Sequence, residues 1–236
     1  MRDAQSRAYI ACDAALEQGA GLRNDEKEVS VAQVLLPPTL VGMPLMGRTA
    51  QPDSASFAGR MLLAMPGIGD DRFAHAAVML CSHGDEGALG INIGDSVQGV
   101  GLRELLASLD LDDSIVVDVP VLRGGPVEPQ RGFVLHSCDW GEGDFLPVSD
   151  DWRLSGSMDV LRAIAEGKGP KRYLVALGFT GWSGGQLEQE MAEHAWFLGQ
   201  GLNEEIFRAS PSTRWSKAFA SYGIDTRMLA SGGGNA

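Results

Sequence analysis

Two short apolar runs, Ala76 to Cys81 and Ala88 to Ile93, are joined by Ser82-His-Gly-Asp-Glu-Gly87. Runs this short, linked through glycine, predict an antiparallel hairpin with a loop longer than the tightest turns. That local pairing constrains the fold more than any other feature, because a doubly wound parallel sheet needs a helical crossover between neighbouring strands. The rest of the chain keeps to this pattern. Met61 to Met65, Ile115 to Leu122, Arg131 to Ser137 and Tyr173 to Phe179 read as further strands, and glycine or proline ends several of them. Helical spacing comes singly. Leu102, Leu105, Leu106 and Leu109 form one apolar stripe, and Met158, Leu161, Ile164 and Ala165 a second, with Ser157 placed to cap it. Leu187, Met191, Ala195 and Leu198 form a third. Ser210-Pro211 opens a last helix with Trp215 and Phe219 turned inward. Single helices among hairpin-forming strands predict an α+β fold.

At 236 residues the chain holds one large domain, or one domain plus an extension. Residues 1–55 read as an extension expected to be flexible, docking at most by its apolar part. It comprises a short helix-compatible segment, a charged patch and the proline-broken apolar stretch Val31 to Met46. Residues 56–228 carry the dense pattern of a folded α+β domain. Residues 229–236 end in Ser231-Gly-Gly-Gly-Asn-Ala and are expected to be disordered.

The net charge of −12 argues against direct nucleic-acid binding, which favours a basic patch that displaces phosphate counterions. Three cysteines, Cys12, Cys81 and Cys138, make no disulfide framework and fit a reducing compartment. No secretory signal is visible, and the longest apolar stretch is too short and too interrupted to span a bilayer. The expectation is a cytoplasmic protein away from membranes.

Several patterns carry candidate chemistry. Gly181-Trp-Ser183-Gly-Gly185 matches the nucleophile elbow G-x-S-x-G between a strand and a helix. Its weakness is that the one later histidine, His194, lies on the helix that the turn would open. A glycine-rich strand-to-helix turn explains the same residues. Cys81-Ser-His83 and His136-Ser-Cys138 could face each other as a zinc site, or offer a thiol with a base. Buried cysteines and hydrogen-bonded histidines are the simpler account, since a thiol in an apolar run keeps a high pKa. Gly124-Gly125-Pro126 with Arg131 could form an anion-binding concavity, and a turn between strands explains them equally. Carboxylates at Glu188, Glu190 and Glu193 suit the start of a helix, and Glu190 can pair with His194. Trp182, Trp196 and Trp215 read as core anchors. No P-loop, dinucleotide fingerprint or metalloprotease motif is present, and neither cofactor nor metal is expected.

These motifs occur in a specific order: Gly59-Arg-Met-Leu-Leu-Ala-Met-Pro66, His83, Gly87-Ala-Leu-Gly-Ile-Asn92, Gly124-Gly-Pro-Val127 and Arg131-Gly-Phe-Val-Leu-His136. Gly178-Phe-Thr-Gly-Trp182 and Gly185-Gln-Leu-Glu-Gln-Glu190 follow, then Trp196, Phe207 and Trp215. From about Ser56 to Asp225 the chain resembles the AlgH/YqgE family. The resemblance implies an α+β fold with a small barrel-like mixed or antiparallel sheet flanked by helices. It also brings a transcriptional-regulator label that rests on no described DNA-binding surface. His83, Asn92, Gly124, Gly125, Arg131, His136, Gly181, Trp182, Gln186 and Glu190 fall on motif positions and are the candidate binding residues. Ser183 and the two cysteines lie off the family pattern, and the extension departs from it. The resulting expectation is a non-enzymatic protein that binds a small molecule or a protein and acts indirectly in regulation. The alternative is a hydrolase using Ser183 or a His83/His136 acid–base pair.

Overall fold

The computed structural model describes residues 56–229. The expected extension 1–55 lies outside the described residues, and so does the tail beyond Leu229. Leu229 itself ends a 3-10 turn, Thr226–Leu229, and packs against the core.

The first half of the described chain holds β1 (Met61–Ala64), β2 (Ala77–Gly84), β3 (Gly87–Asn92), β4 (Ser96–Gly101), α1 (Leu102–Ser108), β5 (Pro120–Arg123) and β6 (Val127–Ser137). Then come β7 (Leu146–Pro147), β8 (Trp152–Ser155), α2 (Met158–Ala165), β9 (Tyr173–Ser183) and α3 (Gln186–Ala192). β10 (Trp196–Leu198), α4 (Glu204–Arg208) and α5 (Pro211–Ala220) complete the domain. The expected hairpin forms between β2 and β3, with His83 opposite Ala88 and Gly84 opposite Gly87, so the turn is only Asp85-Glu86.

The strands form one sheet in the order β10-β1-β2-β3-β9-β6-β8-β7, and β5 joins β4 to β9 beside that path. Every pair is antiparallel except β5 with β9. The α+β class therefore holds, whereas the barrel-like closure does not. The path ends at β10 and β7, which do not pair with each other. Strands of three and two residues offer too little ladder to close a sheet. Such short ends also limit edge-to-edge association.

Both faces of the sheet are covered, so its central strands read as continuous apolar runs rather than as alternating ones. Phe133 and Leu135 of β6 point into a core that includes Ile206 of α4 and Trp215, Ala218 and Phe219 of α5. Val134 points into a second core with Leu102, Leu105 and Leu106 of α1 and Val160, Leu161 and Ile164 of α2. The α1 and α2 stripes and the inward Trp215 and Phe219 are as the sequence predicts.

Three of the expected features differ. Ile115–Leu122 does not form one strand: β5 begins at Pro120, and Ile115 and Val117 are exposed around a buried Val116. The third helix stops at Ala192, because His194 takes φ 60 and turns the chain into β10. Ser157 occupies the N-cap position of α2 with extended backbone but makes no side-chain cap bond.

Candidate functional site

The strand-to-helix corner after β9 gathers four of the candidates. Gly185, at φ 76, turns the chain from β9 into α3. Gln186 and Glu190 then lie one helical turn apart on the same face, at hydrogen-bonding spacing. The Gln186 side-chain oxygen accepts from both the backbone N–H and the hydroxyl of Ser183, each at 3.0 Å. Its nitrogen donates to Glu190 Oε1 at 2.9 Å. The amide can sit only this way round, because a flipped nitrogen would meet a backbone donor. Glu190 Oε2 accepts the indole N–H of Trp182 at 2.9 Å and that of Trp196 at 2.7 Å. The two rings meet edge-on at 5.8 Å. One carboxylate thus ties β9 and β10 to α3.

This arrangement bears directly on Ser183. A nucleophilic serine needs a base to take its proton, and the partner of its hydroxyl is an amide oxygen, which is not basic. His83 stands two strands away, across β3, or roughly 10 Å at ordinary strand spacing. Its ring is engaged elsewhere. His83 Nδ1 accepts the backbone N–H of Phe57 at 3.3 Å, which leaves Nε2 to carry the proton toward Glu188 Oε1 at 2.8 Å. The Phe57 ring lies against the imidazole at 4.6 Å. The His83 side chain is 7% exposed and that of Glu188 49%, so this pair forms a half-open rim beside the Gln186–Glu190 network.

His136 lies at the other end of β9. It pairs with Tyr173, whereas Ala88, the cross-strand neighbour of His83, pairs with Trp182. Nine residues of extended strand separate these points, about 30 Å, so a shared His83/His136 acid–base site does not form. The same separation parts Cys81-Ser-His83 from His136-Ser-Cys138. Among the described residues no group of three or more His, Cys, Asp or Glu could hold a metal ion. Cys81 is buried in the core, and burial pushes its thiol up to about 12.

His136 is wholly buried and satisfied. Nδ1 donates to the Ser137 carbonyl at 3.0 Å, and Nε2 accepts the Ser155 hydroxyl at 2.9 Å. Burial lowers its pKa below the ordinary 6.5, and nearby Arg153 adds to the effect. The unfolded chain therefore takes up a proton near pH 6.5 that the folded chain refuses, so this contribution to stability is present above that pH and is lost as the pH falls. The expected result is a decline in melting temperature between about pH 7 and pH 5 that is shallower in His136→Gln. Thermal melts of both proteins across that range check it, and equal slopes would contradict it.

Gly124, Gly125 and Asn92 belong to a backbone seam rather than to an anion cradle. A Cβ on Gly124 would lie 2.2 Å from the Gly178 carbonyl oxygen, and one on Gly125 2.2 Å from the Phe179 carbonyl. The Gly124 carbonyl accepts the Asn92 N–H at 2.8 Å and the Thr180 hydroxyl at 3.3 Å. Asn92 Oδ1 accepts the Gly94 N–H. Arg131 pairs with Glu128 at 2.8 Å and lies over the Phe133 ring. Gly181 sits in β9 with no backbone atom crowding it.

Three contributors escaped the sequence reading: Glu188 as the partner of His83, Phe57 as its second partner, and Arg214, buried in the core. An i,i+4 spacing could have suggested Gln186 with Glu190, but nothing local signals His83 with Glu188, 105 residues apart. Two clefts lie away from the corner. One of about 160 Å³ is lined by Met61, Leu63, Gln200 and Tyr222 among others, and one of about 260 Å³ by Ser137 to Asp139, Asp151, Lys171 and Arg172. No candidate binding residue lines either.

A predominantly antiparallel sheet covered on both faces, with helices packed on each side and a tryptophan–carboxylate corner after β9, defines an α+β domain. The AlgH-like family model matches residues 61–227, and the chain belongs to that family. Its relatives include a UPF0301 protein of Sphingopyxis alaskensis, 49% identical over 76% of this chain and 96% of that protein. Another, from Rhizorhabdus wittichii, is 51% identical over 77% and 98%. The solution structure of AlgH from Pseudomonas aeruginosa superposes with a TM-score of 0.61 at 32% identity, over 79% of this chain and all of that one. A crystal structure of a Corynebacterium diphtheriae protein, 16% identical with a TM-score of 0.59, shares the fold over 74% of this chain and 91% of its own.

Proposed function

We propose that the chain is a cytoplasmic, non-enzymatic binding protein that acts indirectly in regulation through a protein or small-molecule partner. The partner engages the corner formed by Gly181, Trp182, Gln186 and Glu190, with His83 and the exposed Glu188 as its rim. What supports this reading is the commitment of the reactive groups there: Ser183 to an amide oxygen, Glu190 to two indoles, and His83 to Phe57 and Glu188. A frame locked in this way presents a fixed surface, which suits recognition, and leaves no free base for hydrolysis. In this reading Asn92, Gly124, Gly125 and His136 serve the packing of the domain, and Arg131 is committed to Glu128 and the Phe133 ring. Among the described residues no helix is long and apolar enough to cross a membrane.

Two measurements on the full chain test the proposal. Incubation with a fluorophosphonate probe, read by peptide mass spectrometry, is expected to leave Ser183 unmodified. Labelling that disappears in Ser183→Ala would overturn the non-enzymatic reading. Native mass spectrometry of protein purified from its own cells is expected to show a bound partner that Glu188→Lys releases. A partner retained equally by that variant would remove the corner from the account.

A further inference from the structure

We infer that the exposed pair Ile115 and Val117 is the apolar anchor of a second docking surface, which takes a basic segment of a protein partner and shares no residue with the β9 corner. Among the described residues four large apolar side chains are exposed: Ile115 at 64%, Val117 at 73%, Tyr222 and Met228. Only Ile115 and Val117 stand a single residue apart. Between them Val116 is buried in the second core with residues of α1 and α2. Main-chain bonds hold the loop around it. The Val116 N–H donates to the Asp113 carbonyl at 3.1 Å, and the Val116 carbonyl accepts Arg103 Nε at 2.8 Å. The Leu102 N–H donates to the Val119 carbonyl at 2.9 Å, and the Arg103 N–H to Asp118 Oδ1 at 3.0 Å. Ile115 lies over Gly167, just past the end of α2, where a Cβ would come 3.0 Å from Ile115 Cδ1. A neighbour without a side chain leaves the isoleucine uncovered. Both side chains are therefore displayed from a loop already held in place, so little ordering is needed when a partner binds.

Charge identifies the partner. From Leu109 to Val119 the chain carries four carboxylates, Asp110, Asp112, Asp113 and Asp118, and no cation. None of the four makes an ion pair among the described residues. Arg103 is turned to the Val116 carbonyl, and Lys168, next to Gly167, is paired with Glu166 at 2.9 Å. An apolar pair edged by unpaired carboxylates complements a segment that presents an aliphatic or aromatic side chain flanked by lysine or arginine. Nucleic acids and anionic lipid surfaces carry the wrong charge for it. A second copy docked about a two-fold axis would set these carboxylates against their own duplicates. The occupant is thus a different, basic chain.

Fluorescence anisotropy of the full chain with a short labelled peptide alternating leucine and lysine tests the assignment. Saturable binding is expected, at least ~10-fold tighter than for the peptide with serine in place of leucine. Ile115→Ser/Val117→Ser should weaken it at least ~10-fold. Asp112→Asn/Asp118→Asn keeps the oxygens that accept the Ser114 and Arg103 N–H groups and removes only charge. This variant should bind about 3-fold more weakly or worse, with a flatter salt dependence. Glu188→Lys should bind as the parent does, which separates this surface from the β9 corner. Leucine and serine peptides that bind alike, or no saturable binding of either, would overturn the proposal. So would undiminished binding by either double variant. A dimer of the free chain in sedimentation that the two serines dissolve would give the surface to a second copy and overturn it too.

Discussion

Replacing Arg214 with methionine is expected to destabilise the domain by about 3 kcal/mol, lowering its melting temperature by roughly 6–12 °C. Arg214 is 4% exposed. Its guanidinium donates to three main-chain carbonyls: Ile93 at 2.8 Å, Phe207 at 3.1 Å and Ile206 at 3.2 Å. The Phe207 carbonyl lies at the open end of α4, and the Ile206 carbonyl also accepts the Ala209 N–H at 3.2 Å. The third lies just past the end of β3. Burial brings the Arg214 pKa down to about 10, so the group stays charged at neutral pH. Methionine fills similar volume but leaves the Ile93 and Phe207 carbonyls without donors, each worth about 1–3 kcal/mol, and strips a second donor from Ile206. Arg214→Lys, with a single ammonium head, is expected to recover only part of the loss. Urea unfolding of the three proteins measures it; a loss under about 1 kcal/mol for methionine would contradict the bonding.

Gly124→Ala is expected to cost at least as much, about 3 kcal/mol or more, because the added methyl meets main chain rather than a side chain that can move aside. The Gly178 carbonyl oxygen would be 2.2 Å from the new Cβ, and Ala176 Cβ 3.2 Å. Relief requires β5 to move away from β9. That would break the Gly124 N–H bond to Leu177 and the Asn92 bond to the Gly124 carbonyl, both 2.8 Å. Gly84→Ala is the matched control: nothing lies within 4 Å of its Cβ, and its backbone is not in the left-handed region. It is expected to stay within about 0.5 kcal/mol of the parent. Equal melting temperatures for Gly124→Ala and Gly84→Ala would show that the seam can relax, contrary to the packing described.

What the sequence made legible was local. The β2–β3 hairpin, the stripes of α1 and α2, and the Ser210-Pro211 start of α5 depend on neighbours within a few residues, and each forms. What it concealed depends on distant partners. Tyr173 to Phe179 reads as a strand, but β9 runs on to Ser183 because Gly87 to Gly90 pair with Thr180 to Ser183. The serine of the elbow-like motif therefore belongs to the end of a strand. Leu198 continues the helical stripe of Leu187, Met191 and Ala195 by spacing, yet Trp196 to Leu198 becomes β10 by pairing with β1. The Gly124-Gly125 pair looks the same in sequence whether it cradles an anion or lets two backbones touch, and only the position of Gly178 decides. Equally, Glu190 beside His194 satisfies helical pairing on paper. The carboxylate instead takes two indole donors from flanking strands.

Glu190 locks the candidate corner through Trp182 and Trp196, and indole N–H exchange measured by NMR tests that lock most directly. In the parent protein, slow exchange is expected for both indoles. In Glu190→Ala both should exchange much faster and shift together, while Trp152 and Trp215, bound to the Leu202 and Ala64 carbonyls, should keep their positions. Trp182 and Trp196 indoles that exchange equally slowly with and without the Glu190 carboxylate would contradict the account.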